Sequence, residues 1–165
     1  MYKYTITESD AKYHVYINMI SSNAGHYLSR RPYVINLIKE ALTNKPLNGQ
    51  RVIVEVDMGR EIGNTDIVST QDNDNIYYAK PIKNDTFYRF AKNKYPHPSR
   101  KLSIILIKDA EDQYEIVDTW IGPLKPPFPG DTNESSDSKQ YWQEHALVHE
   151  AQMIQTKTIT KICPY

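Results

Sequence analysis

The chain holds a single cysteine, Cys163, among 165 residues. That excludes an internal disulfide and any paired-thiol metal motif, and it agrees with a reducing compartment. Its plain reading is a small packing residue rather than a nucleophile. The six glycines are dispersed, so there is no glycine-rich phosphate loop, and no Gly-x-Ser-x-Gly elbow is present. No run approaches the roughly 20 apolar residues that a bilayer-crossing helix requires. The start, MYKYTITESDAKYHVYINMI, lacks the basic flank and unbroken apolar core of a signal peptide. The expectation is a cytoplasmic protein without a membrane partner. Net charge is lacking too, because 20 basic and 20 acidic side chains cancel. A field over the whole molecule that draws in nucleic acid is therefore absent.

What is present fits one globular domain spanning 1–165. The length suffices for a hydrophobic core, and 39% hydrophobic with 24% charged residues is ordinary for a folded chain. Charge is unevenly spread. Between Lys80 and Lys101 stand Lys80, Lys83, Arg89, Lys92, Lys94, Arg100 and Lys101 against Asp85 alone, whereas Asp109, Glu111, Asp112, Glu115 and Asp118 follow without a base. The two stretches either form a basic binding face or neutralise each other across a hairpin.

Periodicity points to an α+β fold. Tyr2 to Thr7 and Lys12 to Ile20 alternate as strands around the turn-like TESDA. Ser21, Ser22 and Asn23 are good caps, and Pro32 suits the first turn of a helix carrying Tyr33, Val34, Leu37, Ile38, Ala41 and Leu42. From Arg51 the period becomes that of a mainly antiparallel sheet: RVIVEV, TDIVST, IYYAKPI, TFYRFAK, KLSIILIK and YEIVDTWIG are separated by short runs of turn residues. LSIILI, apolar on both faces, is expected to be the central strand. Four prolines in PLKPPFPGDTNESSDS require a long surface loop. Ser136 or Asp137 then caps a short helix through SKQYWQEHALVHE, and ITKICPY suits a last edge strand.

Three groups of residues could carry chemistry. His145 and His149, four apart on the expected helix, have the spacing by which two imidazoles grip zinc, with His97 or an acid as a third ligand. Position 146 is alanine, where a zinc protease of that type carries its glutamate. The segment NAGHYLSRRP brings His26 to a helix start with Arg30 and Arg31 about one turn on. Metal-independent RNA cleavage needs a base for the 2′-hydroxyl, an acid for the leaving oxygen and fixed positive charge between them, roles that histidine and arginine fill near neutral pH. The bland reading is a histidine that closes a turn and arginines that solvate a helix face. In FYRF, Arg89 alternates with Tyr88 and Phe90, so Phe87 and Arg89 could flank a surface where a base stacks beside a guanidinium. Tyrosines in strands, though, more often pack than bind.

The strings DMGREIGNTDIV, YYAKPIKNDTFYRFAKN, PSRKLSIILIKD, YEIVDTWIGPLKPPFPGD, SKQYWQEHALV and the final CPY resemble a family of small bacterial proteins, which implies a recurring domain and names no reaction. The order of a helix bearing histidine and arginines before consecutive antiparallel strands is more distantly similar to the barnase, EndoU, colicin-type and RelE-like ribonucleases. That similarity implies a sheet face with His26, Arg30 or Arg31, Arg89 and Thr119, and His145 as second acid or base. Lys80, Tyr88, Lys92, Arg100 and Trp142 would then contact RNA. The expected activity is metal-independent RNA cleavage in a toxin or phage-defence setting, without a cofactor and with an inhibitor or immunity protein as a further partner. A non-catalytic protein-binding or inhibitor module and a zinc-dependent hydrolase are the alternatives.

Overall fold

The helix α1, Arg31–Leu42, shows how the first core forms. Its apolar positions recur at intervals of three and four, so Val34, Leu37, Ile38, Ala41 and Leu42 fall on one stripe and are buried, while Asn36, Lys39 and Glu40 face water. The stripe packs with Leu102, Ile104, Leu106, Tyr114 and Ile116 into one cluster. In the computed structural model the described residues are 3–7, 14–18, 31–43, 45–82, 84–111, 113–149 and 154–165, without the side chains of 3–7, 14–18, 31 and 32.

The chain divides into two compact units, each made of two stretches: Met1–Gly63 with Ser99–Leu124, and Asn64–Pro98 with Lys125–Tyr165. In the first, strands β1 (Lys3–Thr7), β2 (His14–Asn18), β3 (Arg51–Asp57), β9 (Lys101–Ala110) and β10 (Gln113–Ile121) form a sheet in the order β1-β2-β10-β9-β3. The long β9 and β10, only two residues apart in sequence, run antiparallel, as so short a connection demands. β10 and β2, far apart in sequence, are parallel. The apolar LSIILI lies within β9, flanked on both sides, although β10 holds the middle place. Along β3 the period-two pattern is legible: Val52, Val54 and Val56 turn toward the core, and Arg51, Ile53, Glu55 and Asp57 face out.

The second unit is built on a sheet of β5 (Ile67–Ser69), β6 (Ile76–Ala79), β7 (Tyr88–Ala91) and β11 (His145–Val148), in the order β5-β11-β7-β6. Two short strands, β4 (Gly63–Thr65) and β8 (His97–Ser99), pair where the chain enters and leaves this unit. One face carries an aromatic stack: Tyr88 lies 4.0 Å from Phe128, which lies 3.8 Å from Trp142 between centroids. The proline-rich loop delivers Phe128 to that stack, and its Pro126 carbonyl accepts a hydrogen bond from Trp142 Nε1 at 3.0 Å.

Two expectations change here. The helix expected through SKQYWQEHALVHE, α2, ends at Glu144 (Ser138–Glu144), and His145 begins β11 with φ −133° and ψ 156°. A helix of seven residues has little stability of its own, whereas HALV gains ladders on both sides, antiparallel to β5 and parallel to β7. The last segment forms no edge strand: among the described residues it makes an isolated bridge from Thr160 to Tyr78 after a turn of 3-10 helix, Thr156–Thr158.

Candidate functional site

Strand β7 has the burial of an interior strand, yet its second residue is an arginine. Arg89 is 9% exposed. Its Nη1 donates to Thr70 Oγ1 at 2.7 Å and to the main-chain carbonyl of His145 at 2.9 Å. Its Nε is buried without a hydrogen-bond partner among the described residues. No acidic side chain among them forms an ion pair with the guanidinium either, the nearby Asp74 being 3.5 Å from Lys94 instead. A cation in that position costs several kcal/mol of desolvation that neutral oxygens offset only in part.

Arg89 lies on the wall of an open cleft of about 450 Å³ within the second unit, lined also by Thr70, Asp72, Asp74, Gln143 and Lys161. Loop chemistry shapes the acidic side. Asp74 accepts from the main-chain N–H of Gln71 at 2.7 Å and from Asn93 Nδ2 at 2.8 Å. Those bonds, the Gln71 amide first, hold its carboxyl below the usual range, with Lys94 adding to the effect. Asp74 is thus already satisfied, whereas Asp72 is exposed at the cleft and Lys161 supplies a second cation.

On the neighbouring strand Tyr78 is in register with Arg89, so the two side chains share a face. The Tyr165 ring meets Tyr78 edge-on, 5.7 Å between centroids, and the Tyr165 hydroxyl is buried without a partner among the described residues. Burial pushes the Tyr165 phenol well up, the neighbouring Tyr78 and Cys163 add to this, and Arg89 opposes it. Tyr78 is raised by burial and then by Cys163, with Arg89 pulling it back. A phenol whose folded-state pKa is raised stabilises the fold while it is protonated in both states. That contribution is lost as pH climbs from the ordinary value of 10.0 toward the folded value. The melting temperature should therefore fall above about pH 10, and fall less in Tyr165→Phe; parallel curves for the two proteins would count against a buried neutral phenol.

The structure brings together some of the residues singled out by sequence. Arg89 and His145 meet, but through the His145 carbonyl. Leu147 is in register with Phe90, so strand alternation puts the His145 side chain, two residues back, on the face opposite Arg89. There the ring stacks on Tyr141 at 4.0 Å, and Nδ1 donates to the Tyr141 carbonyl at 3.0 Å. That bond leaves Nε2 as the basic nitrogen of the neutral ring. His26 and Arg30 lie outside the described residues, and Arg31 is described only as the start of α1. Thr119 is 1% exposed in the first unit and donates to the Ser103 carbonyl at 2.9 Å, a role within the β9–β10 pair.

The expected RNA contacts are placed differently. Trp142 is fully buried and Tyr88 is 8% exposed, both in the aromatic stack, so neither offers a ring face to a base. Lys80 is 3.1 Å from Asp85 and sits over the Phe87 ring, Lys92 lies over Tyr77, and Arg100 of the first unit is 3.4 Å from Asp57. With Lys101 3.3 Å from Glu55, much of the basic stretch pairs with acids outside the Asp109 to Asp118 run. The zinc pair loses its helical spacing: residues 145 and 149 are separated by a strand, roughly 13 Å at the rise of an extended chain. His149 Nδ1 is 2.6 Å from the Tyr77 hydroxyl. His97 is exposed on β8, and Cys163 is exposed with its thiol on the Tyr165 carbonyl at 2.9 Å.

Sequence reasoning missed Thr70, Asp72, Gln143, Lys161 and Tyr165. The one signal available was the inward position of Arg89 in a strand otherwise all apolar or aromatic. Among the described residues no helix is long and apolar enough to cross a membrane. The fold and the cleft define an α+β protein with a buried arginine at a polar cleft. Comparison with family models, with curated proteins and with solved structures finds no match, so the reading of the cleft rests on its own chemistry.

Proposed function

We propose that the second unit is a recognition module that binds a phosphate group of its ligand at Arg89. The observation that carries this is a guanidinium nine-tenths buried at a cleft, held by neutral oxygens and without a carboxylate among the described residues. A bound oxyanion supplies the missing charge, and a guanidinium matches the geometry of phosphate oxygens. Lys161 adds a second positive charge, while Asp72 offers an acceptor for a hydroxyl next to the phosphate. A single phosphate fits better than a tracked nucleic-acid backbone. Tracking uses a continuous cationic groove and stacking rings, and here Lys80 is ion-paired while Tyr88 and Trp142 are core.

The reading is binding without chemistry, because the imidazole of His145 is on the other face of the sheet and no histidine lines the cleft among the described residues. The test is thermal stability in inorganic phosphate, in a ribonucleoside 5′-monophosphate and in acetate at one ionic strength. Both phosphates should raise the melting temperature and acetate should not. Equal shifts in all three, or none in any, would refute phosphate recognition. Metal-independent RNA cleavage is the second reading, supported by the same unneutralised Arg89. It calls on His26 for the imidazole, and it predicts RNA cutting in EDTA that His26→Ala removes; intact RNA in that assay rejects it.

A further inference from the structure

Two polar atoms in the second unit are buried without partners among the described residues: Arg89 Nε and the Tyr165 hydroxyl. Groups of this kind are uncommon in folded proteins, and each one calls for a ligand, a water or an ion. Here both belong to one neighbourhood. Tyr78 is the cross-strand partner of Arg89, and its ring packs edge-on against Tyr165. The segment that carries Tyr165 also carries Lys161 on the cleft wall, and it is tied to the sheet by the paired main-chain bonds of Thr160 and Tyr78, at 2.7 and 2.9 Å.

The donors of Arg89 are unequally used. Nη1 is used by Thr70 and His145, the Tyr78 hydroxyl also hydrogen-bonds the guanidinium, and Nε has no acceptor among the described residues. Nε is thus one open donor of the guanidinium, and a charged donor of this kind suits an anion's oxygen. The Tyr165 phenol is protonated at neutral pH, so its hydroxyl is a donor as well. Two unpartnered donors, Arg89 Nε and the Tyr165 hydroxyl, are what the oxygens of one anion would take up.

We infer that Tyr165 is a ligand-binding residue: its hydroxyl and Nε of Arg89 donate together to one phosphate, with the segment Thr160 to Tyr165 forming the cover of that seat. This deepens the phosphate-recognition reading and rests on it. In the protein without ligand both donors lack partners among the described residues; with phosphate in place both are satisfied. The cover keeps water from competing for the same oxygens, which strengthens each bond.

The experiment is calorimetric titration of inorganic phosphate into the wild type, Tyr165→Phe and Arg89→Lys, with the melting temperature of each taken in phosphate-free buffer. Tyr165→Phe deletes one hydrogen bond to a charged acceptor, so affinity should fall about tenfold. Its phosphate-free melting temperature should hold or rise, because an unpartnered buried hydroxyl has been removed. A purely structural tyrosine gives the reverse pattern, with stability lowered and affinity kept. Should Tyr165→Phe unfold, phosphate-dependent shifts of the Tyr165 ring signal in the wild-type NMR spectrum decide the matter: a shift upholds the contact and a fixed signal overturns it. Arg89→Lys separates the two claims. If it loses binding while Tyr165→Phe matches the wild type, the cleft reading stands and the Tyr165 inference fails; if the wild type binds no phosphate, the cleft reading itself has failed.

Discussion

Trp142→Ala should lower the unfolding free energy by about 3–5 kcal/mol, the range for deleting a large aromatic from a packed core. Trp142 is fully buried, and its ring is stacked on Phe128 at 3.8 Å with an interplanar angle of 16°. Phe128 in turn stacks on Tyr88 at 4.0 Å, so the indole anchors the proline-rich loop against strand β7. The change also leaves the Pro126 carbonyl without its indole donor. Cavity and lost hydrogen bond act in the same direction. Urea denaturation followed by far-ultraviolet circular dichroism measures the effect, and a loss under about 1 kcal/mol would be incompatible with a buried stack. The same result would revive the ring as a surface for bases.

Arg89→Met has a different expected signature, because it removes a charge whose benefit depends on ligand. Without phosphate, the variant loses the Nη1 bonds to Thr70 and His145 but is relieved of burying a guanidinium that has no carboxylate partner among the described residues. Exchanging a buried charge for an apolar chain of similar length is often close to neutral, so a net change within about 1 kcal/mol is expected. With phosphate at 100 times its dissociation constant the wild type should gain about 2.7 kcal/mol, and the variant close to nothing. A variant that gains as much as the wild type places the anion elsewhere. One that collapses without ligand makes Arg89 a structural residue.

Local pattern carried much of the first unit. α1 declares itself by a stripe at three- and four-residue intervals begun by Pro32, β3 and β10 by alternation over seven and nine residues, and β9 by its continuous apolar run. Such signals are long and bounded by turn residues, so neighbours in space add little to them. The parallel pairing of β2 with β10 was not legible, since pairing between segments nearly a hundred residues apart leaves no local trace.

The boundary inside SKQYWQEHALVHE went the other way. Helical spacing is real in its first half, and the second half is equally suited to a strand. β5 and β7 decided it by offering main-chain partners on both sides. Once HALV was extended, His145 and His149 no longer stood one helical turn apart, and the metal spacing disappeared with the helix. Trp142 and Tyr88 show the same limit for rings: an aromatic residue reads alike in sequence whether it stacks on a base or on Phe128.

By itself, the amino-acid sequence determined the α+β class, the main strands and helix of the first unit, and the lack of a paired-cysteine motif, because each follows from composition or from periodicity within one short segment. Only the tertiary structure decided that Arg89 is buried without a carboxylate partner among the described residues, and that Thr70, Gln143 and Lys161 surround it. Those residues come from four distant segments. What unites them is the desolvation of one guanidinium, and desolvation exists only after the chain has closed around it.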